Sequence, residues 1–164
     1  MTDSNMLKRS IAEIIGTFAL AGRMPPRTLG FYIPSQIAGA LLASGLLHLL
    51  FPGNTLLGAT IPAGGAFQSF VLELILTFIL MLVIIHVATG PKEQGLFAGI
   101  AIGGVILLEA MFAGPICGAS MNPARSLAPA LVSGHIESLW VYLTAPIAGA
   151  ALAIPIWKYL NSNK

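Results

Sequence analysis

Charge is what this chain has least of. Asp, Glu, Lys and Arg make up 9% of its 164 residues, against about 25% in an ordinary globular domain. With 56% of the residues apolar, so few charges exclude a water-soluble core and leave an integral membrane protein. Cysteine is scarcer still. Cys117 stands alone, which excludes a disulfide scaffold or a cysteine metal cluster within one chain. No set of His, Asp, Glu or Cys has metal-ligand spacing, and no nucleophile and base face each other on predicted spans, so no metal, cofactor or enzymatic activity is expected. The net charge of +2 comes mostly from the flanks of those spans, and no nucleic-acid partner is expected.

What the chain has in quantity is long apolar runs. Thr28 to Phe51, Phe67 to Ala88, Gly95 to Ala113 and Leu139 to Trp157 each approach or exceed the roughly 20 residues that cross a bilayer. An earlier run, Ser10 to Gly22, would reach only about 20 Å as a helix, too short to cross. It is expected to enter the membrane or lie at its surface. Glu13 in its middle, and Arg23 and Arg27 after it in place of a small-residue cleavage site, argue against a cleaved signal peptide. Basic residues give the orientation: Lys8, Arg9, Arg23 and Arg27 precede the first span, the segment from Pro52 to Ala66 has none, Lys92 falls in the next loop, and Lys158 and Lys164 follow the last span. By the positive-inside rule both termini are expected to be cytoplasmic.

Between the third and fourth spans lies Gly118-Ala119-Ser120-Met121-Asn122-Pro123-Ala124-Arg125-Ser126. Asn122 is a good N-cap, Pro123 suits the first helical position, and Arg125 adds a fixed charge in the first turn. A helix continuing from Ser126 to about Val132 is far too short to span. Arg125 is therefore expected inside the membrane beside an aqueous path.

The chain also repeats itself. Ile11 to Leu20 matches Val71 to Leu80 at an offset of 60 with five of ten residues identical, including Glu13 with Glu73, and Tyr32 to Ala43 matches Tyr142 to Ala153 at an offset of 110 with seven of twelve identical. The change of offset means that the first half lacks about 50 residues present in the second, between Phe18 and Tyr32. The missing part corresponds to one span, the rest of the opening helix and most of a half-helix. One domain, 1–164, is expected, with an incomplete first repeat at 7–51 and a complete second repeat at 67–159. Such halves often build channels and transporters, with sites where interrupted helices meet.

These motifs resemble the major intrinsic protein family, the aquaporins and glycerol facilitators, from Leu7 to Tyr159, and most of all its nodulin-26-like branch and bacterial relatives. The resemblance rests on Ala12 to Phe18, on Tyr32, Gln36 and Gly39, on Glu73, and on the nine-residue motif at Gly118 to Ser126. It implies an all-α membrane protein: a truncated aquaporin-like inverted-repeat bundle with four full spans, one re-entrant half-helix and a short N-terminal membrane-entering helix. Family members carry two Asn-Pro-Ala half-helices, and this chain has one such motif.

The family's architecture implies a passive channel for water and small neutral solutes such as glycerol, in the cell (plasma) membrane, with the lipid bilayer and a homotetramer as partners. Asn122, Pro123 and Ala124 would form the pore motif, with Asn122 donating to the solute. Ala110, Ala119 and Arg125 would form the selectivity constriction, and Glu13 and Glu73 would brace the re-entrant loops. Ser126 stands where typical glycerol facilitators have an acid, which argues against a dedicated glycerol channel. The alternative is a non-conducting deletion product that inserts as a remnant or as a partner of full-length copies.

Other positions are read from their setting. Glu109 is either a solvated pore group or one end of a helix–helix hydrogen bond, and Cys117 either a reactive group near the mouth or an inert small residue. His48 and His86 are expected at interfaces and His135 in a solvated loop. Gly39 and Gly149 are expected to let helices approach closely.

Overall fold

The computed structural model describes residues 26–89 and 97–162; the Ser10 to Gly22 segment, Glu13, Lys8, Arg9, Arg23, Lys92 and Lys164 lie outside them. Among the described residues five α-helices follow one another: α1 (Pro26–Leu50), α2 (Ala66–Thr89), α3 (Ala98–Cys117), α4 (Pro123–Ser133) and α5 (Leu139–Leu160). Four of them, α1, α2, α3 and α5, are long and apolar enough to cross a membrane. The fifth, α4, has 11 residues and so extends about 16 Å.

The spans fall where the hydropathy places them, with one informative shift. The third was expected to end at Ala113, yet α3 runs on through Pro115 to Cys117. Proline removes one backbone donor, but where water is scarce an unwound turn would leave several polar groups unpaired. The helix closes instead at Gly118, whose φ of 88° lets its N–H reach the Gly114 carbonyl.

Helices α2 and α5 make the tightest pair. Gly149 lies so close to α2 that an added Cβ would stand 2.2 Å from the Leu74 carbonyl oxygen, so a small residue sets the crossing distance. Its repeat counterpart differs: a Cβ on Gly39 would meet nothing within 4 Å among the described residues. The expected close-packing role therefore holds for Gly149 and is corrected for Gly39, whose side of α1 faces a cleft. Around the α2–α5 contact, Leu76, Leu80, Met81, Ile84 and Ile85 pack with Ala113, Cys117, Ala150 and Ala153, and Phe70 stacks on Trp140 with centroids 5.8 Å apart.

Helix α1 packs against α4, and α3 against α2. Their outer faces, including Phe31, Leu42 and Leu49 on α1 and Ile100, Leu108 and Met111 on α3, are exposed. A row of bare apolar side chains on a helix suits contact with lipid. Helix α4 packs against both α1 and α5.

Candidate functional site

The hairpin between α3 and α4 is built from backbone that its residues do not choose freely. Ala119 and Met121 have φ of 41° and 53°, the left-handed region that non-glycine residues adopt only when their surroundings enforce it. The enforcement comes from Glu73. Its fully buried side chain accepts the Ser120 N–H at Oε1, 2.7 Å, and the Met121 N–H at Oε2, 2.8 Å. One carboxylate thus satisfies two consecutive amides that no helix serves. From the other side the buried Tyr142 hydroxyl donates to the Cys117 carbonyl at 2.7 Å.

Asn122 then opens α4 from an extended backbone, and its Oδ1 accepts the N–H groups of Ala124 at 2.9 Å and Arg125 at 3.4 Å. With Oδ1 committed to the cap, the amide nitrogen remains as the donor end. Pro123 occupies the first helical turn, where a missing N–H leaves nothing unpaired. Arg125 is exposed.

Asn122, Ala124 and Arg125 line one wall of a cleft of about 520 Å³, and Gln36, Gly39, Ala43 and Ser44 of α1 line the facing wall, with Leu57 and Gly58 of the α1–α2 connection also at its border. The cleft thus joins the cap amide, the guanidinium and the dipole end of α4. Two expected constriction residues stand elsewhere: Ala110 is exposed on α3 and Ala119 is buried in the hairpin, and neither borders this cleft. Glu109 fits neither of its two sequence readings. It is 2% exposed, and neither carboxyl oxygen has a hydrogen-bond partner among the described residues.

Sequence reasoning overlooked the α1–α2 connection. Thr60 donates to the Ser126 hydroxyl at 2.7 Å, and the Ala63 N–H to the Ile116 carbonyl at 2.9 Å. Gly118 also presses against Thr60, since a Cβ there would stand 3.0 Å from Thr60 Cγ2. The only local signal is the turn around Asn54, whose Oδ1 accepts the N–H groups of Leu56 and Leu57. Cys117 is wholly buried, His86 binds the Leu82 carbonyl one turn earlier in α2, and His135 contacts the Ser133 hydroxyl just after α4.

Four apolar spans and a short capped helix that carries its arginine into a cleft define an all-helical membrane-protein fold. Residues 14–157 match the model of the family described as Major intrinsic protein. The chain belongs to that family, one of membrane channels. It is 50% identical over 143 residues to Aquaporin NIP1-1 of Zea mays, covering 87% of this chain and 50% of that one. To Nodulin-26 of Glycine max it is 51% identical over 143 residues, with 87% and 52% covered. The chain therefore spans about half the length of the curated relatives it matches. In three dimensions it resembles the aquaglyceroporin from Plasmodium falciparum, with a TM-score of 0.79 at 22% identity over 90% of this chain and 70% of that one, a likeness of fold.

Proposed function

We propose that this chain is a passive channel for water and small neutral solutes, with the cleft between α1 and α4 as part of the solute path. The observation that carries the reading is the pairing of Asn122 and Arg125 on one wall of that cleft. The cap leaves the Asn122 amide nitrogen free to donate to a passing hydroxyl or water, and the N-terminal end of α4 adds a positive potential that disfavours cations. Arg125 adds a fixed positive charge and up to five donors. Neutral solutes that accept hydrogen bonds are suited to such a surface, and none of these groups supplies a means of driving transport uphill.

Kinship to Aquaporin NIP1-1 and Nodulin-26 supports the same class of solute. In this reading Arg125 carries the constriction at the cleft, which Ala110 and Ala119 do not border, while Glu73 braces the re-entrant hairpin and Glu13 does the same for the first repeat. The domain runs over 1–164 with repeats at 7–51 and 67–159, placed in the plasma membrane with both termini cytoplasmic and assembling as a homotetramer.

Stopped-flow light scattering on proteoliposomes tests the proposal. Osmotic water permeability and glycerol uptake above those of empty liposomes are expected, and Arg125→Ala should raise the passage of larger solutes relative to water. Permeability equal to that of empty liposomes would remove the activity from this polypeptide.

A further inference from the structure

Three hydroxyls form a one-way chain from the α1–α2 connection to the backbone of Asn122. Its end fixes its direction. The Ser120 hydroxyl donates to the Asn122 carbonyl at 2.9 Å, and a carbonyl can only accept. The short contact between the Ser126 and Ser120 hydroxyls must then carry the Ser126 proton towards Ser120. Ser126 in turn accepts from Thr60 at 2.7 Å. All three protons point the same way, and Thr60, Ser126 and Ser120 are all buried. Polarised chains of this kind, shielded from water, lose more when one link is cut than a single pair would.

Thr60 is also tied to the other side of the cleft. It follows Leu57 and Gly58, which border the cleft and hold left-handed φ of 50° and 80°. Its methyl packs on Gly118, which has φ of 88° and would crowd Thr60 with any Cβ. One side chain therefore links the turn at the cleft border to the hairpin that presents Asn122 and Arg125.

We propose that Thr60 is a positioning residue for solute selection: acting through Ser126 and Ser120, its hydroxyl sets where the Asn122 amide and the Arg125 guanidinium stand relative to Leu57 and Gly58. The proposal rests on the cleft's being a solute path. It assigns to the α1–α2 connection a part in selectivity distinct from that of the half-helix motif itself.

The test compares Thr60→Val, which keeps the shape and removes the hydroxyl, with Thr60→Ser, which keeps the hydroxyl, and with Ser120→Ala, which cuts the chain further along. In proteoliposomes the ratio of glycerol to water permeability should change by about threefold or more in Thr60→Val, as expected when one buried hydrogen bond is lost. Thr60→Ser should keep the wild-type ratio, and Thr60→Val/Ser120→Ala should differ from wild type no more than either single variant, since both cut one chain. A merely structural role would lower the yield of folded protein and leave the ratio per channel unchanged.

A wild-type ratio in Thr60→Val, or equal disturbance by Thr60→Ser, overturns the proposal. If the wild-type chain conducts nothing, the functional reading fails separately. Positioning is then read from the side-chain amide resonance of Asn122 in detergent micelles, with asparagine labelled in nitrogen: it should move in Thr60→Val and stay in Thr60→Ser. Should Thr60→Val fail to fold, an unmoved resonance in Ser120→Ala overturns the proposal, and a shifted one supports it.

Discussion

The Glu73 carboxylate holds Met121 in a left-handed conformation: Oε2 accepts the Met121 N–H at 2.8 Å in a residue whose φ is 53°. A single acceptor group on α2 thereby fixes the approach to α4, because its other oxygen takes the preceding amide of Ser120. Glu73→Gln turns one of those acceptors into a donor facing an N–H. The expected loss is about 1.5–3 kcal/mol, the worth of a buried hydrogen bond to a charged group. It should show as a lower midpoint of thermal unfolding in detergent, and an unchanged midpoint would mean that the hairpin keeps its backbone without the carboxylate.

Glu109 should respond in the opposite direction. It is as inaccessible as Glu73 in practice, at 2% exposed, but neither of its oxygens has a hydrogen-bond partner among the described residues. A buried polar group without partners costs stability, and an apolar replacement of similar volume removes that cost. Glu109→Met is therefore expected to raise the unfolding midpoint, by about 1–3 kcal/mol in stability terms. A lowered midpoint would reveal a partner that Glu109 holds in the membrane.

The contrast between these two glutamates marks the limit of what local sequence carries. Both stand in apolar spans, and only Glu73 has a counterpart in the repeat, which is what singled it out. The half-helix was legible because capping is local: Asn122, Pro123 and the amides they serve lie within four residues of one another. The spans were legible because length and hydropathy decide them. Thr60 was not, since its partner Ser126 is 66 positions away and nothing in a threonine after a loop distinguishes it. The far end of α3 was missed because Pro115 normally breaks a helix, a rule that weakens where an open turn has no water to serve it.

Gly39 and Gly149 occupy equivalent places in the repeat and should tolerate change unequally. A methyl group on Gly149 would meet the Leu74 carbonyl at 2.2 Å, whereas one on Gly39 would meet nothing within 4 Å among the described residues. Gly149→Ala must push α5 from α2, at a cost of about 1–3 kcal/mol for overpacking. Gly39→Ala should leave the unfolding midpoint within about 0.5 kcal/mol of wild type. Its effect is expected on transport, because the added methyl group narrows the cleft opposite Asn122. Equal midpoints for the two variants would show that the α2–α5 crossing adjusts freely.

Cys117 decides between the two roles its position suggested. Its side chain is wholly buried, its thiol donates to the Ala113 carbonyl one turn back at 3.5 Å, and its own carbonyl is taken by Tyr142. A reagent can reach such a sulfur only when α3, α5 and the hairpin separate. Maleimide and mercurial labelling of the folded protein should therefore be slow and should accelerate at the unfolding transition. Water permeability should be insensitive to mercurials, and Cys117→Ala, which removes one buried sulfur and leaves a small void, should cost about 1 kcal/mol. Rapid labelling of the folded protein, followed by blocked flow, would instead put this thiol at the mouth of the path and require α3 to end a turn earlier, at the boundary that hydropathy alone suggests.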